Sequence, residues 1–117
     1  MAEFNTSIKN QGAVSIINLK GYLDAHTAPI LENNFVDLID KNCYQIVVDF
    51  KDLAYISSAG LGVFMAYIEK IRDSKGDIKL SGMSDKVFNI FDLLGFPLLY
   101  EIFKTEDEAV KKFTETK

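Results

Sequence analysis

The chain opens with two short segments of strand character, about Phe4–Asn10 and Ala13–Lys20, joined at Gln11-Gly12 by a tight turn. In the second, alternation predicts Val14, Ile16 and Leu19 facing inward, with Ile17 on a partly buried opposite face. Gly21-Tyr22-Leu23-Asp24-Ala25-His26 reads as a loop, and Thr27 as the N-cap of a helix over Ala28–Asp40 with Pro29 in its first turn. Its apolar stripe is Leu31, Phe35, Leu38 and Ile39, and Asp24 stands close enough to assist at the N-terminus.

Tyr44–Phe50 is continuously apolar at its centre, the pattern of a strand buried on both faces. Lys51–Tyr55 reads as a connection, followed by a helix from about Ala59 to Ser74 with the stripe Leu61, Phe64, Met65, Ile68 and Ile71. Lys75-Gly76-Asp77 closes it and Ile78–Ser81 starts a further strand. Ser84 or Asp85 caps a third helix with Val87, Ile90, Phe91 and Leu94, ended by Gly95. Leu98–Phe103 is a last strand, and Thr105-Glu106-Asp107-Glu108 has capping-box spacing before a helix carrying Ala109, Val110 and Phe113. The predicted order is ββαβαβαβα, an α/β fold with a mostly parallel mixed sheet and helices as crossovers, forming one domain over residues 1–117.

Composition narrows the function classes. With 48% hydrophobic and 26% charged residues the chain reads as soluble and globular. A net charge of −4 and a pI near 4.9 argue against binding a nucleic-acid backbone, which needs a basic patch. Nothing approaches the roughly 18 consecutive apolar residues of a membrane span, and Met1-Ala2-Glu3-Phe4-Asn5 is not a signal peptide, so a cytoplasmic protein without nucleic-acid or membrane partners is expected. Cys43 is the sole cysteine and reads as a half-buried small residue, which excludes an intrachain disulfide or a cysteine metal site. Asn5-Thr6-Ser7 matches a glycosylation sequon by chance.

Candidate chemistry concentrates at Ile56-Ser57-Ser58-Ala59-Gly60-Leu61-Gly62, where a strand gives way to a helix. A serine there stands among free backbone N–H groups that favour added negative charge. It suits a phosphorylation switch as well as a plain helix cap. Asp24, His26 and Ser58 supply the residue types of a catalytic triad, but the G-x-S-x-G elbow is absent. Gly60-Leu61-Gly62 fails the dinucleotide fingerprint because Met65 stands where its third glycine belongs. No Walker loop and no metal-ligand spacing occur, so neither cofactor nor metal is expected. Phe88, Phe91, Leu93, Leu94, Phe96 and Leu98 crowd together, mostly for the core, with an exposed remainder available to a partner.

Val47-Val48-Asp49-Phe50 through Tyr55–Val63 resembles the STAS family of anti-sigma factor antagonists. Leu19-Lys20-Gly21-Tyr22-Leu23-Asp24-Ala25-His26-Thr27-Ala28 is similar to that family's G-x-[IL]-D-x-x-[TN]-[AS] segment, and the Leu80–Leu94 region to its later helix. The likeness runs from about Gly12 to Phe113. It implies a binding protein rather than an enzyme. The unmodified form would dock on an anti-sigma factor that is also a serine kinase and free a sigma factor; phosphorylation would end the contact, and a metal-dependent serine phosphatase would reset it. In the motif D-S-[ST]-G the acceptor falls on Ser58, Gly60 matches the glycine, and Asp24 matches the earlier aspartate. The partner surface implied is Asp24, Ser57, Ser58, Ala59, Gly60 and Gly62. Two departures stand out: Ser57 replaces the motif aspartate, which makes it a second candidate acceptor, and Ala59 follows the acceptor. The same fold also serves as a scaffold in sensory assemblies or as a subunit of ABC-type lipid transporters.

Overall fold

The computed structural model describes residues 4–93, 95 and 100–115. In chain order the elements are β1 (Phe4–Gln11), β2 (Val14–Leu23), α1 (Ala28–Asp40), β3 (Gln45–Ile56), α2 (Ser58–Asp73), β4 (Asp77–Ser81), α3 (Asp85–Leu93), β5 (Ile102–Phe103) and α4 (Glu106–Glu115). The strands form one sheet in the order β1-β2-β3-β4-β5, with β1 antiparallel to β2 and the other neighbours parallel. Each crossover moves over by one strand, and turning with the same hand each time puts α1, α2 and α3 on one face. They share one buried cluster with the sheet, through Leu31 and Phe35 of α1, Leu61 and Phe64 of α2, and Val87 and Phe91 of α3. α4 covers the other face, where Ala109, Val110 and Phe113 meet Val14, Ile16 and Val47.

This two-sided cover explains the buried run Ile46–Phe50, and it revises the reading of β2. Val14 and Ile16 face α4, whereas Ile17 and Leu19 face the larger core, so Ile17 is fully buried and Leu19 lies opposite to its expected side. Phe64 fixes α2 to this core, its ring 5.7 Å from Phe35 and from Phe50 and 6.3 Å from Phe91. Burying one such ring contributes roughly 1.5–3 kcal/mol.

Two expectations about connections change. Lys51–Tyr55 belongs to β3, and Tyr22-Leu23 to β2, so both strands run on to the edge where the helices begin. The last strand is confined to Ile102–Phe103; of its expected remainder, Leu98 and Leu99 lie outside the described residues, as do Leu94 and Phe96 of the apolar crowd. In that crowd Phe91 is buried, Phe88 is half out and Leu93 is 86% exposed. α4 carries the expected capping box: Thr105 Oγ1 accepts the Glu108 N–H at 3.2 Å, and Glu108 Oε1 accepts the Thr105 N–H at 3.3 Å. Ser84, rather than Asp85, caps α3, its Oγ accepting the Val87 N–H at 3.2 Å. Met65 is exposed although it was expected in the α2 stripe, and Val63 is buried instead. Gly60, Val63, Phe64 and Ile71 lie on one buried face of α2, and Met65 falls beyond its edge.

Candidate functional site at the start of α2

β2 and β3 end side by side, with Leu23 paired to Ile56 and the Ser57 N–H donating to the Leu23 carbonyl at 2.9 Å. The chain then turns into α2. Ser57 is extended (φ −99°, ψ 172°) and its Oγ accepts the Gly60 N–H at 3.4 Å, so Ser57 is the N-cap. Ser58, the first residue of the helix, is exposed, and its hydroxyl has no hydrogen-bond partner among the described residues. Two adjacent serines therefore divide the work: one oxygen is committed to the fold and the other is open to solvent. No acidic residue occupies the first turn of α2, which leaves the positive end of its dipole uncompensated.

The two glycines differ in the same way. A Cβ on Gly60 would stand 2.8 Å from Leu23 Cγ and 3.1 Å from Ile56 Cγ1, so Gly60 lets the helix sit directly on the strand ends. A Cβ on Gly62 would meet nothing within 4 Å. Ala59 and Gly62 are both exposed beside Ser58.

Across the strand pair lies the turn after β2. Asp24 Oδ1 accepts the backbone N–H groups of His26 (2.9 Å) and Thr27 (3.1 Å). Thr27 was expected to cap α1, but its side chain makes no cap bond. Its buried hydroxyl donates instead to the Tyr22 carbonyl at 2.9 Å and accepts the Asp24 N–H at 2.9 Å. The Asp24 side chain closes the turn before the helix, and its backbone carbonyl accepts the Ala28 N–H at 2.8 Å. The Thr27 N–H, outweighing partial burial and aided by the His26 N–H, holds the Asp24 carboxyl below its ordinary range. A lowered carboxyl stabilises the fold above its unfolded-state pKa, and that contribution disappears as pH falls through the folded-state value. Asp24→Asn should therefore lose stability relative to the parent at neutral pH, with the gap closing below about pH 3.8; chemical denaturation across pH checks this.

The triad is not assembled. Asp24 holds His26 through the backbone N–H, and among the described residues no hydrogen bond links the imidazole to Asp24 or Ser58. Among the described residues no group of three or more His, Cys, Asp or Glu side chains could hold a metal ion. A cleft of about 460 Å³ lies between the end of the sheet and α4, lined by residues such as Asp49, Gly82 and Lys104, but it does not include Ser58. Ser58 thus sits outside that cleft, on the exposed surface. The sequence reading overlooked one neighbour of this surface. Tyr22 and Tyr55, 44% and 36% exposed, bring their rings within 6.0 Å at the strand ends. Their alternation with Leu23 and Ile56 was the available signal.

The STAS domain family model matches residues 5–109, and the chain belongs to that family. The anti-sigma-B factor antagonist of Bacillus subtilis is 26% identical over 107 residues, covering 92% of this chain and 97% of its own length. That of Listeria monocytogenes is 30% identical over 92 residues, covering 79% and 81%. Among solved structures, the anti-sigma factor antagonist SpoIIAA in its unphosphorylated form matches with a TM-score of 0.83 at 20% identity, covering 97% of this chain and 99% of its own. The phosphorylated form of the Bacillus SpoIIAA matches at 0.73, covering 93% and 99%. Among the described residues no helix is long and apolar enough to cross a membrane.

Proposed function

We propose that this protein is an anti-sigma factor antagonist that works by partner exchange in the cytoplasm and catalyses no reaction itself. Unmodified, it docks through the Asp24 turn and the Ser57–Gly62 edge on an anti-sigma factor that is also a serine kinase, and so frees a sigma factor. Phosphate on Ser58 ends the complex, and a metal-dependent serine phosphatase restores it. The observation that carries this reading is the exposed, uncommitted Ser58 hydroxyl at a helix N-terminus, beside a Ser57 already engaged as the cap. It is supported by relatives that are anti-sigma factor antagonists, and by SpoIIAA, a protein of the same fold solved with and without phosphate.

The physics favours a switch at the surface. A phosphate adds about −1.5 to −2 charge, which a helix N-terminus tolerates, whereas a docked kinase surface already holding nucleotide phosphates repels it. Incubation with ATP and the cognate kinase should add about 80 Da, mapped by fragmentation to Ser58. Ser57→Ala should still accept that phosphate while losing about 0.5–1 kcal/mol of stability with its cap. Phosphate found on Ser57 alone, or no gain with any candidate kinase, would overturn the reading.

A further inference from the structure

Ser58 owes its location to an irregular stretch of β3. From Ser15–Ile46 to Asn18–Asp49 the two strands pair evenly. Beyond that level β3 gains one residue on β2 before Lys20–Asp52, and a second between Gly21–Leu53 and Tyr22–Tyr55. The core side chains of β3 follow suit: Ile46, Val48 and Phe50 come at every second residue, then Leu53 and Ile56 at every third. Each bulge reverses which face a residue presents, and the two together restore Ile56 to the core opposite Leu23. A single slip would turn the strand end over and carry Ser57 and Ser58 with it.

Asp49 occupies the last even level. Its Oδ1 accepts the Ser81 hydroxyl of β4 at 3.0 Å, and its Oδ2 accepts Nδ2 of Asn18 in β2 at 3.1 Å. Three adjacent strands are therefore tied at one height, immediately before the first bulge. Asn18 Nδ2 also reaches Glu106 Oε1 of α4 at 3.1 Å, and Lys9 of β1 pairs with Glu106 at 2.9 Å. Gly82 leaves room for this arrangement: it adopts φ +73°, and a Cβ there would stand 2.4 Å from Asp49 Oδ1. Asp49 is 7% exposed, and burial, helped by the nearby Glu106 charge, raises its carboxyl above the ordinary range, only partly offset by the bonds from Ser81, Asn18 and the Lys51 backbone N–H. A buried carboxylate is costly unless its bonds are made, so it favours the register that makes them.

We propose that Asp49, gripped by Asn18 and Ser81, is a positioning residue that sets the register of the bulged end of β3 and thereby the place of Ser58. The functional half of this rests on Ser58 being the phosphoacceptor; the structural half does not. The full chain carrying Asp49→Ala, Asp49→Asn or Ser81→Ala is compared with the parent by NMR cross-strand contacts and amide exchange, and by kinase labelling with site mapping. Asp49→Ala should lose the Tyr22–Tyr55 and Leu23–Ile56 contacts. Exchange at 53–56 should quicken about tenfold or more, while the pairs from Ser15–Ile46 to Ile17–Val48 persist. Labelling of Ser58 should slow by about tenfold or more, in line with the cost of misplacing a reacting atom, with part of the phosphate moving to Ser57. Asp49→Asn keeps an acceptor for Ser81 but turns an amide N–H2 toward the Asn18 Nδ2 donor, so it should restore contacts and labelling only in part, to about the level of Ser81→Ala.

Ser81→Ala removes one arm with little change in volume, and decides the matter if Asp49→Ala does not fold. Unchanged contacts and exchange in Ser81→Ala, or loosening spread evenly from Ile46 to Ile56, would overturn the proposal. Should the parent take no phosphate at Ser58, the proposed function fails while the NMR comparison still decides the register.

Discussion

Ser58→Asp is expected to weaken capture of the anti-sigma partner by about a hundredfold or more, and Ser58→Ala to leave it within a few-fold of the parent. Like charges forced together across an interface cost several kcal/mol, and about 1.4 kcal/mol is tenfold in affinity, so roughly 3 kcal/mol gives the hundredfold. The fold responds with the opposite sign. Aspartate at the first position of α2 faces the positive end of a helix whose first turn holds no acidic residue. It should add about 0.3–1 kcal/mol of stability. A variant more stable yet nearly unable to bind separates a surface switch from a conformational one. Calorimetric titration against the partner, with thermal unfolding of the free proteins, measures both. Equal affinity for the two variants would sink the idea of an electrostatic switch.

The second large effect separates the two glycines. Gly60→Ala should destabilise the domain by up to about 2 kcal/mol. Overpacking a filled site costs about 1–3 kcal/mol, less the ~1 kcal/mol that alanine gains over glycine in a helix. The clash is with Leu23 Cγ, on a fully buried side chain that cannot swing aside. Gly62→Ala has no such neighbour and should stabilise the helix by about 0.5–1 kcal/mol. If the partner closes over this edge, Gly62→Ala should also bind more weakly despite its firmer fold. Denaturant unfolding and the same titration test both, and a stabilised Gly60→Ala would contradict the described seat of α2.

Much of this architecture was legible in the residues, because most of its elements follow local rules. Ala28–Asp40 was predicted and found with the same limits, since Pro29 and the 3.6-residue stripe mark one face and one start. The α4 capping box formed from its spacing alone. Most of what failed depended on neighbours far away in sequence. Lys51–Tyr55 lost its two-residue alternation at the bulges, and so read as a loop. Leu19 took the face opposite to Val14 because five positions separate them and strand side chains alternate with a period of two, so grouping it with Val14 and Ile16 broke the alternation itself; burial of both faces hid the mismatch in hydropathy. Thr27 looked like a cap, yet its hydroxyl turned back to the Tyr22 carbonyl. At the site, the sequence offered two serines at one helix start; only the geometry assigned the cap bond to Ser57. The anchoring of Asp49 by β2 and β4 was invisible, because it joins residues more than thirty positions apart.

The paired bulges of β3 also leave this chain room to change length over evolutionary time. Between Asp49 and Ile56 the strand carries two residues more than the Asn18–Leu23 stretch of β2 it pairs with, so losing one amino acid at a bulge would remove that bulge and keep Leu53 and Ile56 opposite Gly21 and Leu23. Losing two in the same way would leave an evenly paired ladder of unchanged reach. A homologue one or two residues shorter between Asp49 and Ser57 should therefore lack one or both bulges, with β2 unchanged in length.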